Sequence, residues 1–369
     1  MKIGQYLGAC PWGDLTPETM NSKGLGGRET ALILLSEQWA RLGTEEERID
    51  VINFVPVSTP KQYEYEQGTV YYVPHQEIAR YCYHFGLDVL VSWEEPKLFD
   101  FEPIRENVNL KIIEIQVSTL STNEKLDELV DYYAVLSDWA GEYLRSENPF
   151  IDKTKIKVFP NGVDLTRYEW NTGSKFTKRP VEFFYSSSPD RGLFHLLCTW
   201  PKIREKFPDA KLHVAYGIEK WCKTVRWSHN MQSEIAIGIE EKIKQDGIIY
   251  HGKIGQRELS KIQEKCSALL YPCDTMSPTE TGCITIIEAG ASGCPAITTD
   301  CDCLGSEFGE TAAMVKLPYD ENEYIDLIES VMSDETLYNK YLLRGKQLAK
   351  SRSWDKIGEE WFKFFVQNS

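Results

Sequence analysis

Long apolar runs are missing from this sequence: no stretch approaches the roughly 20 apolar residues that cross a bilayer. Residues 1–10 do not read as an export signal, because the apolar run breaks at Gly4 and Gln5, and Pro11, Trp12, Gly13 and Asp14 follow. The 10 cysteines include no C-x-x-C pair, the nearest two being Cys301 and Cys303, so no zinc framework is indicated. Several, such as Cys198 and Cys266, sit in apolar surroundings and read as buried reduced thiols. With no export signal, they predict a reducing cytoplasm. Basic charge is also scarce: 41 Lys and Arg stand against 56 Asp and Glu, a net charge of -15. That balance disfavours nucleic acid as a partner and a basic patch for anionic lipid, while leaving room for peripheral membrane contact. Sequence repeats and low-complexity tracts are absent, and the six histidines form no pairing with Ser or Cys that suggests a hydrolase triad.

A chain of 369 residues predicts two domains. Short β-branched runs alternate with amphipathic helices. Strands are expected over 2–7, 49–55, 70–73, 89–93, 111–117, 133–136 and 156–159. The first helix, 30–42, carries Leu32, Leu35, Trp39 and Leu42 on one side. Residues 166–180 are polar and read as a linker. A second series follows, with strands over 181–186, 211–215, 248–251, 268–271 and 295–298, and helices over 192–206, 232–245, 258–266 and 283–291. Residues 321–365 are helical. The expected fold is α/β, with two doubly wound Rossmann-like domains, 1–168 plus 350–369 and 175–349, whose ligands lie at strand carboxyl ends facing the cleft between them.

Four segments carry chemistry. G-L-G-G-R-E at 24–29 precedes the first helix; it fits an anion site at a helix N-terminus or a tight turn. V-F-P-N-G-V-D at 158–164 is a sharp turn, with Asn161 or Gly162 suited to positive φ. S-S-S-P-D-R-G at 186–192 either sets Arg191 and hydroxyls against a phosphate or starts a helix capped by Ser188 or Asp190. P-T-E-T-G-C-I-T-I-I-E-A-G-A-S-G at 278–293 places Glu280 before a helix and Glu288 inside it, among Ile284, Ile286, Ile287 and Ala289. A carboxylate in such an apolar helix needs a partner. Sugar or ribose hydroxyls would supply one, and the N–H groups of Gly282, Cys283 and Ile284 would suit a pyrophosphate. The alternative is that Glu280 caps the helix and Glu288 pairs with a structural Arg or Lys. A nicotinamide-dependent oxidoreductase is disfavoured, since 24–29 is not the G-x-G-x-x-G fingerprint.

In this order the segments resemble glycosyltransferase family 4, over nearly the whole chain: G-G-R-E at 26–29, F-P-N-G-V-D at 159–164, S-S-P-D-R-G-L at 187–193 and the two-glutamate run 279–295. S-W-D-K-I-G-E-E-W at 353–361 is similar to the family's helix that crosses back to the first domain. The resemblance implies the GT-B fold and a retaining transfer from a UDP- or GDP-sugar to an acceptor hydroxyl, of a glycan by our reading, with no cofactor and no metal. It implies donor contacts at Gly26, Gly27, Arg191, Lys253, Glu280, Gly282, Cys283, Ile284 and Glu288. Within that set Glu280 and Arg191 are catalytic, Glu280 on the donor sugar and Glu288 on the ribose. Arg191 and Lys253 neutralise the pyrophosphate, and a donor phosphate oxygen helps to remove the acceptor proton. A non-catalytic nucleotide-sugar- or glycan-binding module on the same fold is the alternative. The sequence departs from the family at Gln116-Val117-Ser118, where many members have His, at Ser187 or Ser188, where an Arg is usual, and at Arg191, where many have Lys. Asp300-Cys301-Asp302 has the D-x-D form of another glycosyltransferase fold and is expected to be a surface turn. His251, at a strand end, is expected to be a packed residue.

Overall fold

The structure, a computed structural model, describes every residue except 118, 171–172, 178–180, 226–230 and 276, and only the backbone of 231 and 232. The chain divides into two compact units: Met1–Asn21, Leu25–Gly162 and Arg352–Ser369 form the first, and Ser22–Gly24 with Val163–Ser351 the second.

In the first unit, β1 (Lys2–Tyr6), β2 (Ile49–Val55), β3 (Lys61–Tyr65), β4 (Gly68–Pro74), β5 (Leu87–Trp93), β6 (Val108–Ile115), β7 (Tyr132–Val135) and β8 (Ile156–Val158) share one sheet. Their order is β3-β4-β2-β1-β5-β6-β7-β8. Every neighbouring pair is parallel except β3 with β4. Runs such as I-D-V-I-N-F-V in β2 are buried almost throughout, as strands covered on both faces must be. The connections reverse direction at β1, so the loops leaving β1 and β5 flank a topological switch point. The edge strand β3 was not expected, because K-Q-Y-E-Y is mostly polar. Its alternation nevertheless packs Tyr63 and Tyr65 against the core and leaves Lys61, Gln62 and Glu64 less covered, a charged edge that resists further pairing.

The last helix, Trp354–Asn368, buries Trp354, Ile357, Trp361 and Phe365, one stripe at helical spacing. Trp361 stacks on Phe159 with ring centroids 4.0 Å apart and meets Trp39 of helix Gly27–Arg41 edge-on at 5.8 Å. The turn at 159–164 therefore has its glycine for closeness, and the positive φ expected at Asn161 or Gly162 is found at neither. A Cβ on Gly162 would lie 2.7 Å from the Trp354 ring.

The second unit holds β9 (Glu182–Tyr185), β10 (Lys211–Ala215), β11 (Ile248–Gly252), β12 (Ala268–Tyr271), β13 (Ala296–Thr299) and β14 (Ala313–Val315), all parallel, in the order β11-β10-β9-β12-β13-β14. Its switch point lies between β9 and β12. The helices Ile218–Val225 and Leu304–Phe308 and the strand β14 went unread in the sequence. The linker reading of 166–180 is corrected in its described part. Leu165–Arg167 is a 3-10 turn, Tyr168 is buried with its hydroxyl donating to Gln263, and the Lys175 ammonium donates to the Ser292 carbonyl at 2.8 Å. These contacts fasten the segment to the second unit. Residues 171–172 and 178–180 of that reading lie outside the described residues.

Helix Ile284–Ala291 is buried nearly all round and crosses helix Glu335–Ser351 glycine to glycine. A Cβ on Gly290 would fall 2.2 Å from the Gly345 carbonyl oxygen, whereas one on Gly345 would meet the Gly290 Cα at 3.1 Å. Gly290→Ala is therefore expected to force the helices apart and lower stability by about 1–3 kcal/mol, with a smaller loss for Gly345→Ala. Urea unfolding measures both, and an unaltered midpoint for Gly290→Ala would contradict the crossing.

Candidate active site

At the switch point of the second unit, the loops leaving β9 and β12 are pressed together. Gly192 is left-handed (φ 85), and a Cβ there would sit 1.8 Å from the Pro272 carbonyl oxygen, so only glycine fits. The residue before it, Arg191, reaches Glu280 beyond β12, with Nη1 2.8 Å from Oε2. The Tyr271 hydroxyl donates to the same oxygen. The Glu280 side chain is 2% exposed and that of Arg191 22%, so the pair is mostly desolvated but open on the arginine side. Burial opposes the guanidinium charge, yet Glu280 together with Tyr271, Asp190 and Cys273 outweighs it and the Arg191 pKa is raised. Arg191 Nε is buried with no hydrogen-bond partner. Neither Ser188 nor Asp190 caps the following helix, Leu193–Lys206. Gly192 is its N-cap residue, and the Ser188 hydroxyl donates to Asp190 instead.

Glu280 does not cap a helix either. Its loop is held from behind by Asp302, whose Oδ2 accepts from the backbone N–H of Thr279 and of Glu280, both at 2.9 Å, and from the Thr275 hydroxyl at 2.9 Å. The D-x-D triplet enters a turn, as expected, and Asp302, flanked by the buried Cys301 and Cys303, makes that turn a structural clasp. Gly282, Cys283 and Ile284 lead into helix Ile284–Ala291. Cys283 is the N-cap residue, and the Thr285 hydroxyl ties this helix end to the Ser186 carbonyl at the exit of β9.

Glu288 lies inside the same helix and is buried. Its neighbours are Arg167, with Nη2 3.7 Å from Oε1, and Gln263, which donates to Oε2 at 3.2 Å and accepts from the Tyr168 hydroxyl at 2.8 Å. Burial raises the Glu288 pKa, against the opposing pulls of Arg167 and Gln263. The structural cation that the sequence left as an alternative for Glu288 is therefore present. It went unread because it sits in the supposed linker, although Arg167 is the one cation between Lys157 and Lys175. Lys253 stands apart from this group. It follows β11, the edge strand two places from β9, with its ammonium 5.9 Å from the Tyr216 ring centroid. His251 is packed as expected, its ring stacked on His213 with Nε2 2.9 Å from Nδ1.

In the first unit, Gly26 is the N-cap residue of helix Gly27–Arg41 and Gly27 its first residue. Glu29 folds back over this end, with Oε2 2.3 Å from where a Gly26 Cβ would be, a favourable place for a carboxylate. Arg28 pairs with Glu94 at 2.6 Å and with Glu29 at 3.4 Å. Glu94, at the end of β5, has φ 64, a strained conformation for a residue with a side chain. Gln116 joins this group: its backbone N–H donates to Glu94 at 3.2 Å and its amide to Glu114 at 2.9 Å and to Asn161 at 3.4 Å. Ser118 of the same departure lies outside the described residues. The other Glu114 oxygen, Oε2, is buried with no hydrogen-bond partner. Burial pushes the Glu114 pKa up to about 8, with Gln116 pulling it down and the Glu94 charge adding to the rise. Glu94 and Glu114 were not singled out from the sequence, although a lone carboxylate in I-I-E-I of β6 was a legible signal. Among the described residues no group of three or more His, Cys, Asp or Glu is placed to hold a metal ion, and no helix is long and apolar enough to cross a membrane.

Residues 171–348 match the family model for glycosyl transferases group 1. No curated protein matches the chain. Among solved structures, sucrose-phosphate synthase from Thermosynechococcus elongatus is similar, with a TM-score of 0.70, 15% identity, and coverage of 99% of this chain and 98% of that one. HepE of Anabaena, in complex with UDP-glucose, has a TM-score of 0.66 and 12% identity, over 100% of both chains. WaaG, a glycosyltransferase involved in lipopolysaccharide biosynthesis, has a TM-score of 0.63 and 10% identity, over 98% of this chain and 99% of that one. At such identities the likeness carries the fold, which is GT-B with two Rossmann-like units.

Glu114 holds its proton more tightly in the folded chain than in the unfolded one. The stability this gives is present below the ordinary value of 4.5 and is lost as pH rises through about 8. The slope is at most ~1.4 kcal/mol per pH unit. Glu114→Gln keeps a neutral side chain at every pH, so its stability relative to the parent chain should climb across that window in urea unfolding. A constant difference would refute the raised pKa.

Proposed function

We propose that this chain, whose residues 171–348 match the model for glycosyl transferases group 1 and whose fold is GT-B, transfers a sugar from a nucleoside-diphosphate sugar to an acceptor hydroxyl, of a glycan in our reading, with retention at the anomeric carbon and without a metal ion. The Arg191–Glu280 pair beside the N-terminal end of helix Ile284–Ala291 is the observation that carries the reading. Arg191 is cationic, partly open, and retains a buried Nε with no partner, so it suits an oxyanion of the diphosphate. The N-terminal amides from Gly282 to Ile284 suit the same group. Both favour the leaving group more as its charge grows in the transition state. Glu280, clasped by Asp302 and Tyr271, offers carboxylate oxygens to donor-sugar hydroxyls from a fixed position. Glu288, steadied by Arg167 and Gln263, would take the ribose hydroxyls. Lys253, Gly26 and Gly27 are further donor contacts in this reading.

The donor is a uridine or guanosine diphosphate sugar. Among the structural neighbours HepE is described with UDP-glucose, which makes UDP-sugars the first to try. Eight of the 10 cysteines are buried, in keeping with the reducing cytoplasmic setting we infer.

A donor screen that measures release of free nucleotide, with and without EDTA, tests the proposal. Release is expected with one UDP- or GDP-sugar and should persist in EDTA, and the product anomer seen by NMR should match the donor. Glu280→Gln should lower turnover by about 10²-fold or more while nucleotide affinity holds, whereas Glu288→Ala should weaken nucleotide binding by roughly tenfold. A nucleotide sugar that binds but is never consumed would support the non-catalytic module instead. Unaltered turnover in Glu280→Gln would refute its role.

A further inference from the structure

One cavity of the second unit has no part in the reading above. It measures about 460 Å³, within the range of small-molecule sites. Its wall includes Asp190 and Gly192 on either side of Arg191, and Thr279 just before Glu280, so it lies against the candidate donor site. Three carboxylates line it, Asp190, Glu234 and Asp274, and among the described lining residues there is no Lys or Arg. Such a wall repels phosphates and carboxylates and favours hydroxyl or ammonium donors.

Phe194 and Trp221 supply aromatic surface, on which the C–H face of a sugar ring or an ammonium group packs well. His195, whose Nε2 lies 3.4 Å from Asp274, has its pKa lowered by burial against the pull of that carboxylate, so at neutral pH it adds no fixed positive charge. The Thr279 hydroxyl is buried with no hydrogen-bond partner.

We propose that this cavity is a carbohydrate subsite for a hexopyranose without an anionic group, an amino-bearing ring being preferred. Aromatic walls with several acceptors and, among the described residues, no cation match a ring whose hydroxyl and ammonium groups can all donate. A sugar held here lies beside the nucleotide sugar without displacing the nucleotide. The proposal goes beyond sugar transfer and does not depend on it, since binding needs neither donor nor turnover.

The test is calorimetric titration of the full chain with glucosamine, glucose and glucose 6-phosphate, with and without UDP. Glucosamine should bind more tightly than glucose, glucose 6-phosphate should not bind, and UDP should leave glucosamine affinity unchanged. Trp221→Ala should weaken glucosamine by about fivefold. Glu234→Gln should narrow the preference for glucosamine over glucose, with circular dichroism confirming that both variants are folded. No glucosamine binding, equal binding of glucose 6-phosphate, competition by UDP, or full affinity in folded Trp221→Ala would each overturn the proposal.

Discussion

Carboxylates buried beside an apolar helix are the constraint on which the second unit's architecture depends. Glu280 precedes and Glu288 lies within a helix that is otherwise mostly apolar, and an ion there is costly unless a cation or strong donors meet it. Each is met by a distant cation and a nearer donor: Arg191 and Tyr271 face Glu280, while Arg167 and Gln263 face Glu288. These pairings oblige the exit of β9, the entry segment before it and the helix before β12 to converge on one helix end. The glycine contacts at 192 and 290 are the steric side of the same requirement, since each lets backbone approach where a side chain would hold it off.

The first unit answers the same constraint differently. Arg28 pairs with Glu29 and Glu94, and Gln116 joins Glu94 to a third carboxyl group, Glu114. Glu114 is left with the Gln116 amide and an orphan oxygen, and burial keeps it protonated at neutral pH. The strained backbone of Glu94 belongs to the same arrangement, because its side chain meets Arg28 on one oxygen and the Gln116 N–H on the other.

Much of this was legible in the sequence because the signals were local. The short apolar runs of β2, β10 and β12 marked their strands, and the two-glutamate segment marked its helix. What escaped was set by distant partners. The strand β3 is polar in sequence and becomes a strand only because β4 offers an edge and Tyr72 packs against Tyr63. Arg167 looked like one charge in a polar stretch, and its role appears only once Glu288 lies opposite. Asp302 resembled a metal-site motif on local spacing, whereas its carboxylate clasps backbone N–H groups more than 20 residues earlier in the chain. Cation, carboxylate and clasp are each common in sequence, and only the fold says which is paired with which.

The Arg191–Glu280 pair also bears on how an acidic chain handles an anionic donor. With Glu280 as its partner, Arg191 carries no net surplus of positive charge in the free protein. Under the function proposed above, an incoming diphosphate shares the guanidinium, and Glu280 keeps the Tyr271 hydroxyl but needs a further donor in place of Arg191. A donor sugar supplies those donors in its hydroxyls, whereas a bare nucleotide does not. In that proposal diphosphate and sugar are coupled: the phosphate would draw Arg191 from Glu280, and the sugar would satisfy the carboxylate it leaves. A pair of this kind favours the whole donor over its fragments, a preference that neither side chain would impose alone.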